Sequence, residues 1–313
     1  QNIKGTYTDL QKRIDETPVG GTLVLPYDFA YTPEVDDSFT GNSGYKFSYG
    51  MMIYKSINIV GNGHTISGEN THSIFIIMKS NIGEPNITIS NATLANGKMN
   101  YYGGAIKQFY GNLTVDNVVF ENNTCRVSDK GTLGGAIYSQ SNLTVTNSIF
   151  TNNTAENGGG AIGIKVVGTT YYTIDNCTFN DNKAQTIGDG RTAAGGAIFV
   201  KGDARGTISN CNFTGNELIA DYNPNGGAIK LQFVNTATIE KCNFTSNAAY
   251  AGGAVCVQAE YQQYPDVVID DCKFNDNHAT YGGAVAAWNG DAVTILTVSN
   301  SEFEGNVASY GSA

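Results

Sequence analysis

Charged side chains are the first scarcity. They make up 15% of 313 residues, with 18 Lys+Arg against 28 Asp+Glu and a formal net charge of −10. An average soluble domain carries roughly 25%. A nucleic-acid partner needs clustered Lys and Arg to displace counterions from phosphates, so this balance argues against that class. Long apolar runs are also missing. The strongest, Ile74-Phe75-Ile76-Ile77-Met78, is far shorter than the roughly 20 residues that cross a bilayer, so no membrane insertion is expected within the segment. Proline is sparse at 6, and there is one Trp. No C-x-x-C occurs, and His64, His72 and His278 are widely scattered, so no metal or other cofactor is expected. No signal peptide is present either. The chain opens on Gln1 rather than Met and reads as a mature or excised segment, so that lack carries no information about secretion.

What is present is repetition. G-G-A-[IV] begins at Gly103, Gly134, Gly159, Gly195, Gly226, Gly252 and Gly282, at intervals of 25 to 36 residues. Between these copies runs [IV]-x-[NDK]-x-x-F-x-x-N, giving Phe120/Asn123, Phe150/Asn153, Phe179/Asn182, Phe213/Asn216, Phe244/Asn247, Phe274/Asn277 and Phe303/Asn306. Alignment produces apolar columns: Ile89, Val115, Val145, Ile174, Ile208, Ile239, Ile269, Val298 is one, and the Phe residues are another. β-branched residues at period two mark strands, and the pieces are too short and Gly-punctuated for helices. Equivalent residues recurring once per unit stack along one core, which is a solenoid. Parallel crossovers are right-handed in nearly all cases. The expected fold is therefore all-β, a right-handed parallel β-helix with a short N-terminal capping helix.

One domain is expected over residues 1–313: a cap at 1–21, opening coils at 22–86 interrupted by a long loop at 27–49, and regular repeats at 87–313. In residues 8–16, Thr8 and Gln11 match a capping box, and Tyr7, Leu10 and Ile14 form an apolar stripe. The Gly-Gly pair suits a turn with close backbone approach. The Asn after Phe suits a left-handed turn residue that stacks into an amide ladder. At the other end, Tyr310-Gly311-Ser312-Ala313 parallels Tyr281-Gly282-Gly283-Ala284, so the natural chain is expected to continue.

The combination of G-G-A-[IV] and F-x-x-N resembles the repeats of polymorphic outer-membrane-protein passengers. The layout of a leading helix followed by G-T-L-V-L-P (residues 21–26) and N-I-x-G-N-G-H-T-I (residues 58–66) is similar to adhesin-like surface proteins of methanogenic archaea. The resemblance implies a β-helix displayed on a cell envelope, extracellular, with a role in attachment to a glycan or protein of another cell. The matching residues are core and turn positions, so they name no ligand.

Chemistry is harder to find. Cys177, Cys211, Cys242 and Cys272 share a column with Ala92, Val118, Ser148 and Ser301, which reads as small-residue packing; Cys125 and Cys256 lie off it. A polysaccharide lyase or glycoside hydrolase on this scaffold would need paired acids on an outer face. The outward column Ser90, Asp116, Thr146, Asp175, Ser209, Glu240, Asp270, Ser299 makes Glu240 and Asp270 neighbours, a weak calcium candidate against a solvated face. No Arg or His joins them in register. A non-enzymatic chain is expected, with the enzyme and a purely structural envelope component as alternatives. Function is expected in the insertions at 124–133, 183–194 and 217–225. It is also expected in the aromatic connections Tyr171, Tyr172, Tyr261, Tyr264 and Trp288, whose rings could stack on a ligand. Nine N-x-[ST] sequons, at Asn86, Asn91, Asn112, Asn122, Asn142, Asn152, Asn176, Asn212 and Asn243, could carry glycans.

Overall fold

A computed structural model describes residues 4–41, 44–81, 83–126, 132–186, 193–220, 225–259, 264–289 and 293–311, with the backbone alone at 288 and 289. The described chain is a right-handed parallel β-solenoid of about eight turns. One coil shows the plan. Strand Asn112–Glu121 covers two faces, bent at Asn117 (φ 52°). Asn122 (φ 56°) turns the next corner into the short strand Thr124–Cys125. Gly134-Gly135 then leads into Ile137–Ser139 on the remaining face. Among the described residues the first two faces form one 19-stranded sheet, the short strands a 5-stranded sheet, and the last face a 9-stranded sheet.

The columns read from the sequence are the observed register. Val115 pairs with Ile89 and Val145, Ile174 with Val145 and Ile208, and Ile269 with Ile239 and Val298. The Phe rings stack from Phe120 to Phe303 with centroids 4.7–4.9 Å apart and planes within 8° of parallel. That spacing is the interstrand distance, so the backbone imposes the stack.

Both glycines of G-G-A are sterically required. Gly134 has φ 73°, which a side chain rarely adopts. A Cβ on Gly135 would lie 2.0 Å from the Gly160 carbonyl oxygen of the next coil.

The motif Asn behaves differently from expectation. The left-handed residue is the one before it, such as Asn122, Asn152 or Asp181, and the motif Asn turns its amide inward. Asn182, with no exposed surface, donates from Nδ2 to Phe150 O and to Asn216 Oδ1, both at 3.0 Å. Its own Oδ1 accepts from the Asn153 N–H (3.1 Å) and Asn153 Nδ2 (3.0 Å). All four capacities of the amide are used, which is what burial of such a group demands.

The column cysteines are free and buried, as a packing column requires. They also bond. Cys177 Sγ donates to Asp175 O (3.2 Å), as Ser148 Oγ does to Thr146 O (2.7 Å), and the Cys177 N–H donates to Cys211 Sγ (3.4 Å). Cys and Ser interchange here because both close the same small turn.

The N-terminal cap is more elaborate than a helix and a loop. Helix α1, Tyr7–Glu16, buries Tyr7, Leu10 and Ile14 as its stripe predicts. Its N-cap, however, is Thr6, whose side chain accepts from Asp9 N–H, rather than Thr8. Asp36, from the expected loop, accepts from the Tyr7 and Thr8 amides, supplying the anion that a helix N-terminus favours. Gln11 pairs with both backbone groups of Met52 instead of closing a box. The loop itself contains a strand, Asp28–Ala30, a helical turn, Pro33–Asp36, and Phe47, which packs on Tyr7. It belongs to the cap because it covers the first coil's apolar end.

The ladder makes one mutation decisive. Asn182→Asp replaces two donors by a buried charge, and it should destabilise the fold by on the order of 3–5 kcal/mol at pH 7. Part of the loss should return near pH 4, where a protonated carboxyl regains a donor. Urea unfolding at the two pH values checks this. Equal stability of variant and parent would refute the ladder's role.

Candidate functional site

Alternation along a strand points one residue inward and the next outward. On the nine-stranded sheet, the outward position is the residue after the [IV] of G-G-A-[IV]. The register there runs Met52, Ile76, Lys107, Tyr138, Gly163, Phe199, Lys230, Cys256, Ala286. An outward column would ordinarily be polar and wet. Here Ile76, Lys107, Tyr138, Phe199, Lys230 and Cys256 are all buried. A second, smaller core of Leu133, Tyr138 and Phe199, flanked by Tyr102, Phe109 and Ala194, covers this outer face. Leu133 and Ala194 come from two of the insertions expected to project from the edge; these described parts fold back instead. Residues 127–131, 187–192 and 221–224 of the insertions lie outside the described residues.

The cover ends near the N-terminus of the solenoid and leaves a cleft of about 430 Å³. Met52, Ile76 and Lys107 form its floor, with walls from Tyr45, Tyr49, Tyr101, Tyr102, Met78 and Phe109. Tyr102 stacks on Tyr138 at 4.3 Å, fixing one wall. Tyr45 is tied by its hydroxyl to the Gly50 carbonyl, fixing another. Tyr49 and Tyr101 are about half exposed. Lys107 is 2% exposed, and its Nζ lies 5.1 Å from the centroid of the Tyr49 ring. Burial pushes its ammonium down to about 8, with the neighbouring Cys125 thiol opposing that shift. Burial in turn pushes the Cys125 thiol up to about 12. Cys256 is likewise buried, accepting from Lys230 Nζ at 3.2 Å.

Of the aromatic residues expected from the sequence, the described Tyr171 and Tyr264 lie apart. Tyr172 is a correction: it is 2% exposed, pairs with Leu143 and Gly206, and occupies the core column of Leu113 and Leu143. Strand alternation sends Tyr171 outward and Tyr172 inward, and the missing side chain at Gly206 makes room for the ring. Among the described residues its hydroxyl has no hydrogen-bond partner. Tyr171 and Tyr264 are exposed, but Tyr171 leads through Arg205 and Thr236 to Asp266 in register. Three strand steps, roughly 14 Å, therefore separate the two regions. Tyr261 lies outside the described residues. The Trp288 backbone pairs with Gln258 on the nine-stranded sheet.

Among the outer carboxylates, Asp116, Asp175 and Asp270 are engaged in hydrogen bonds between coils. Asp175 accepts from Asn210 Nδ2 and Ser209 Oγ, both at 2.7 Å, and these bonds hold its carboxyl below the usual range. Asp270 accepts in the same way from Ser299 and Asn300, and its carboxyl is lowered by those bonds too. Among the described residues no group of three or more His, Cys, Asp or Glu is placed to hold a metal. The exposed sequon residues also serve the stack: Asn112 Nδ2 donates to Asn86 Oδ1 (2.7 Å) and Asn142 Nδ2 to Asn112 Oδ1 (2.9 Å).

The right-handed β-helix region model matches residues 152–312, just over half of the chain. The chain belongs to that family. Within this β-helix, residues 117–140 match the Chlamydia polymorphic membrane protein repeat, a stretch spanning Phe120/Asn123 and the second G-G-A-[IV]. No curated protein matches the chain. Among solved structures, the L. reuters 100-23 SRRP is 14% identical over 97% of this chain and 99% of its own, with a TM-score of 0.42. Geobacillus virus E2 ORF18 is 12% identical over 96% of this chain and 60% of its own, at 0.41. A mannuronic acid specific polysaccharide family 6 lyase from human gut microbiota is 10% identical over 94% and 81%, at 0.35. These likenesses are too distant to carry any function to this β-helix.

The cleft generates a pH prediction. The native pKa of Lys107 lies below its ordinary 10.5, so between about pH 8 and 10.5 the unfolded chain binds more protons. Its contribution to stability therefore rises with pH across that window, and below it the full penalty of burying a cation applies. Lys107→Met should stabilise the fold at pH 7 by on the order of 3 kcal/mol and narrow that gain near pH 10. Denaturant titrations of both proteins check this; a pH-independent difference would contradict it.

Proposed function

We propose that this β-helix is the rigid display segment of a cell-surface, adhesin-like protein that works by attachment rather than catalysis. The observation that carries the reading is the polymorphic membrane protein repeat at residues 117–140, lying on coils whose recurring motif residues are spent on core and corners. The engagement of the Asp116, Asp175 and Asp270 carboxylates in hydrogen bonds between coils fits a structural role for these three residues. Partners are a glycan or protein on another cell, reached from the variable outer side; exposed Tyr171 and Tyr264 are contact candidates there. Sequon asparagines such as Asn86 and Asn91, exposed on the outer surface, fit a glycoprotein and an extracellular location.

Beads coated with the purified chain should be retained saturably on a panel of cells or immobilised glycans, without releasing shortened or unsaturated oligosaccharides. Tyr171→Ala with Tyr264→Ala should weaken retention severalfold if the contact lies on that edge. Product release from an acidic polysaccharide, or no retention on any surface, would defeat the proposal.

A further inference from the structure

We propose that the cleft over Met52 and Ile76 is a binding site for a small, neutral aromatic molecule. This goes beyond the attachment reading and does not depend on it. The outward column of the nine-stranded sheet is built for dry contact. Over Tyr138 and Phe199 it is covered by Leu133 and flanking apolar side chains. Over Met52 and Ile76 that cover stops, and the cleft of about 430 Å³ presents only carbon and sulfur. Lys107 lines the floor with its carbon stem. Its ammonium lies 5.1 Å from the centroid of the Tyr49 ring and offers the cleft no ion pair. An anionic or hydroxyl-rich ligand would therefore give up hydrogen bonds to water and find none in return.

A protein partner needs more surface than this. Among the lining residues only Tyr49 and Tyr101 are exposed large hydrophobics. Two half-covered rings supply on the order of 200 Å², against roughly 800 Å² per partner in a stable interface. A small molecule needs only concave apolar walls, and the volume lies in the range of such sites. The walls are five rings, Tyr45, Tyr49, Tyr101, Tyr102 and Phe109. Two of them are held, Tyr102 by its stack on Tyr138 and Tyr45 by its hydroxyl on the Gly50 carbonyl. Fixed rings, with the thioethers of Met52 and Met78, favour a flat ligand that gains stacking, edge and sulfur contacts. A flexible acyl chain would lose its torsional freedom for fewer of them. Aromatic walls also attract quaternary ammonium groups. Here the Lys107 ammonium already lies against Tyr49, and its like charge opposes a second cation.

The methionines supply the test. Of the 4 in the chain, Met52 and Met78 line the cleft, while Met51 and Met99 are buried and do not. The intact chain, isotope-labelled at its methionine methyls, is titrated by NMR with tert-butylbenzene, its cationic isostere phenyltrimethylammonium, and methyl glucoside. The neutral arene should shift the Met52 and Met78 signals saturably and leave those of Met51 and Met99 nearly in place. The ammonium isostere should bind at least tenfold more weakly, and the glucoside should shift neither pair. Tyr101→Ala should weaken the arene severalfold, and Tyr264→Ala should not. Lys107→Met should keep the arene and narrow the gap to the ammonium isostere. Equal or tighter binding of that isostere, matching shifts from the glucoside, or shifts at all four methyls in step would overturn the proposal. So would the absence of any saturable shift at Met52 and Met78.

Discussion

Each coil is hydrogen-bonded to the next at the spacing of a parallel ladder, roughly 4.8 Å, and every side chain in the regular repeats must therefore tolerate a copy of its own position directly above and below. Few groups meet that condition well. Phe meets it by stacking, Ile and Val by packing, and Gly135 by having no Cβ to strike the Gly160 carbonyl. Asn meets it best of all, because its amide carries donors and acceptors in equal measure and can bond to itself without limit, from Asn123 to Asn306. A carboxylate or ammonium column would repel itself. The low charge of the chain follows from the same condition, as does the use of Asp116 and Asp175 singly, each beneath a hydroxyl and an amide.

The same condition divides the molecule into a part that cannot vary and a part that can. Inward columns and corners are fixed by the stack. The outer face of the nine-stranded sheet is not, and its column passes from Met52 through Lys107 and Tyr138 to Cys256 without a repeating residue type. Part of that face is sealed by folded-back insertions and part is left open as the aromatic cleft. A solenoid core thus acts as a ruler, and individuality collects where a strand face lies outside it. The capping segment contributes too, since Tyr45 and Tyr49 belong to the stretch that links α1's cover to the first strand of this sheet.

Much of the fold was legible in the residues. The columns of Ile, Val and Phe gave the register before any strand was seen, because identical spacing in each coil leaves only one alignment. The stripe Tyr7, Leu10, Ile14 marked α1 for the same periodic reason. The N-cap was misplaced by two residues because Thr6 and Thr8 are equivalent by type, and only the position of Asp36, 28 residues beyond Thr8, separates them. Tyr172 was misjudged because two adjacent tyrosines give no parity; the pairing of Tyr172 with Leu143 supplies it. The cleft was overlooked although its signal was present in the position after G-G-A-[IV], where Tyr138 and Phe199 are too large and too aromatic for a wet face.

The repeat by itself thus determined the class of fold, the stacking register and the inward residues, since these depend on local alternation and on recurrence along the chain. Only the tertiary structure decided which outward residues are buried, which insertions fold back, and where Lys107 ends up without a carboxylate beside it. Those outcomes depend on segments far apart in sequence meeting across one face, and no period in the sequence encodes such a meeting.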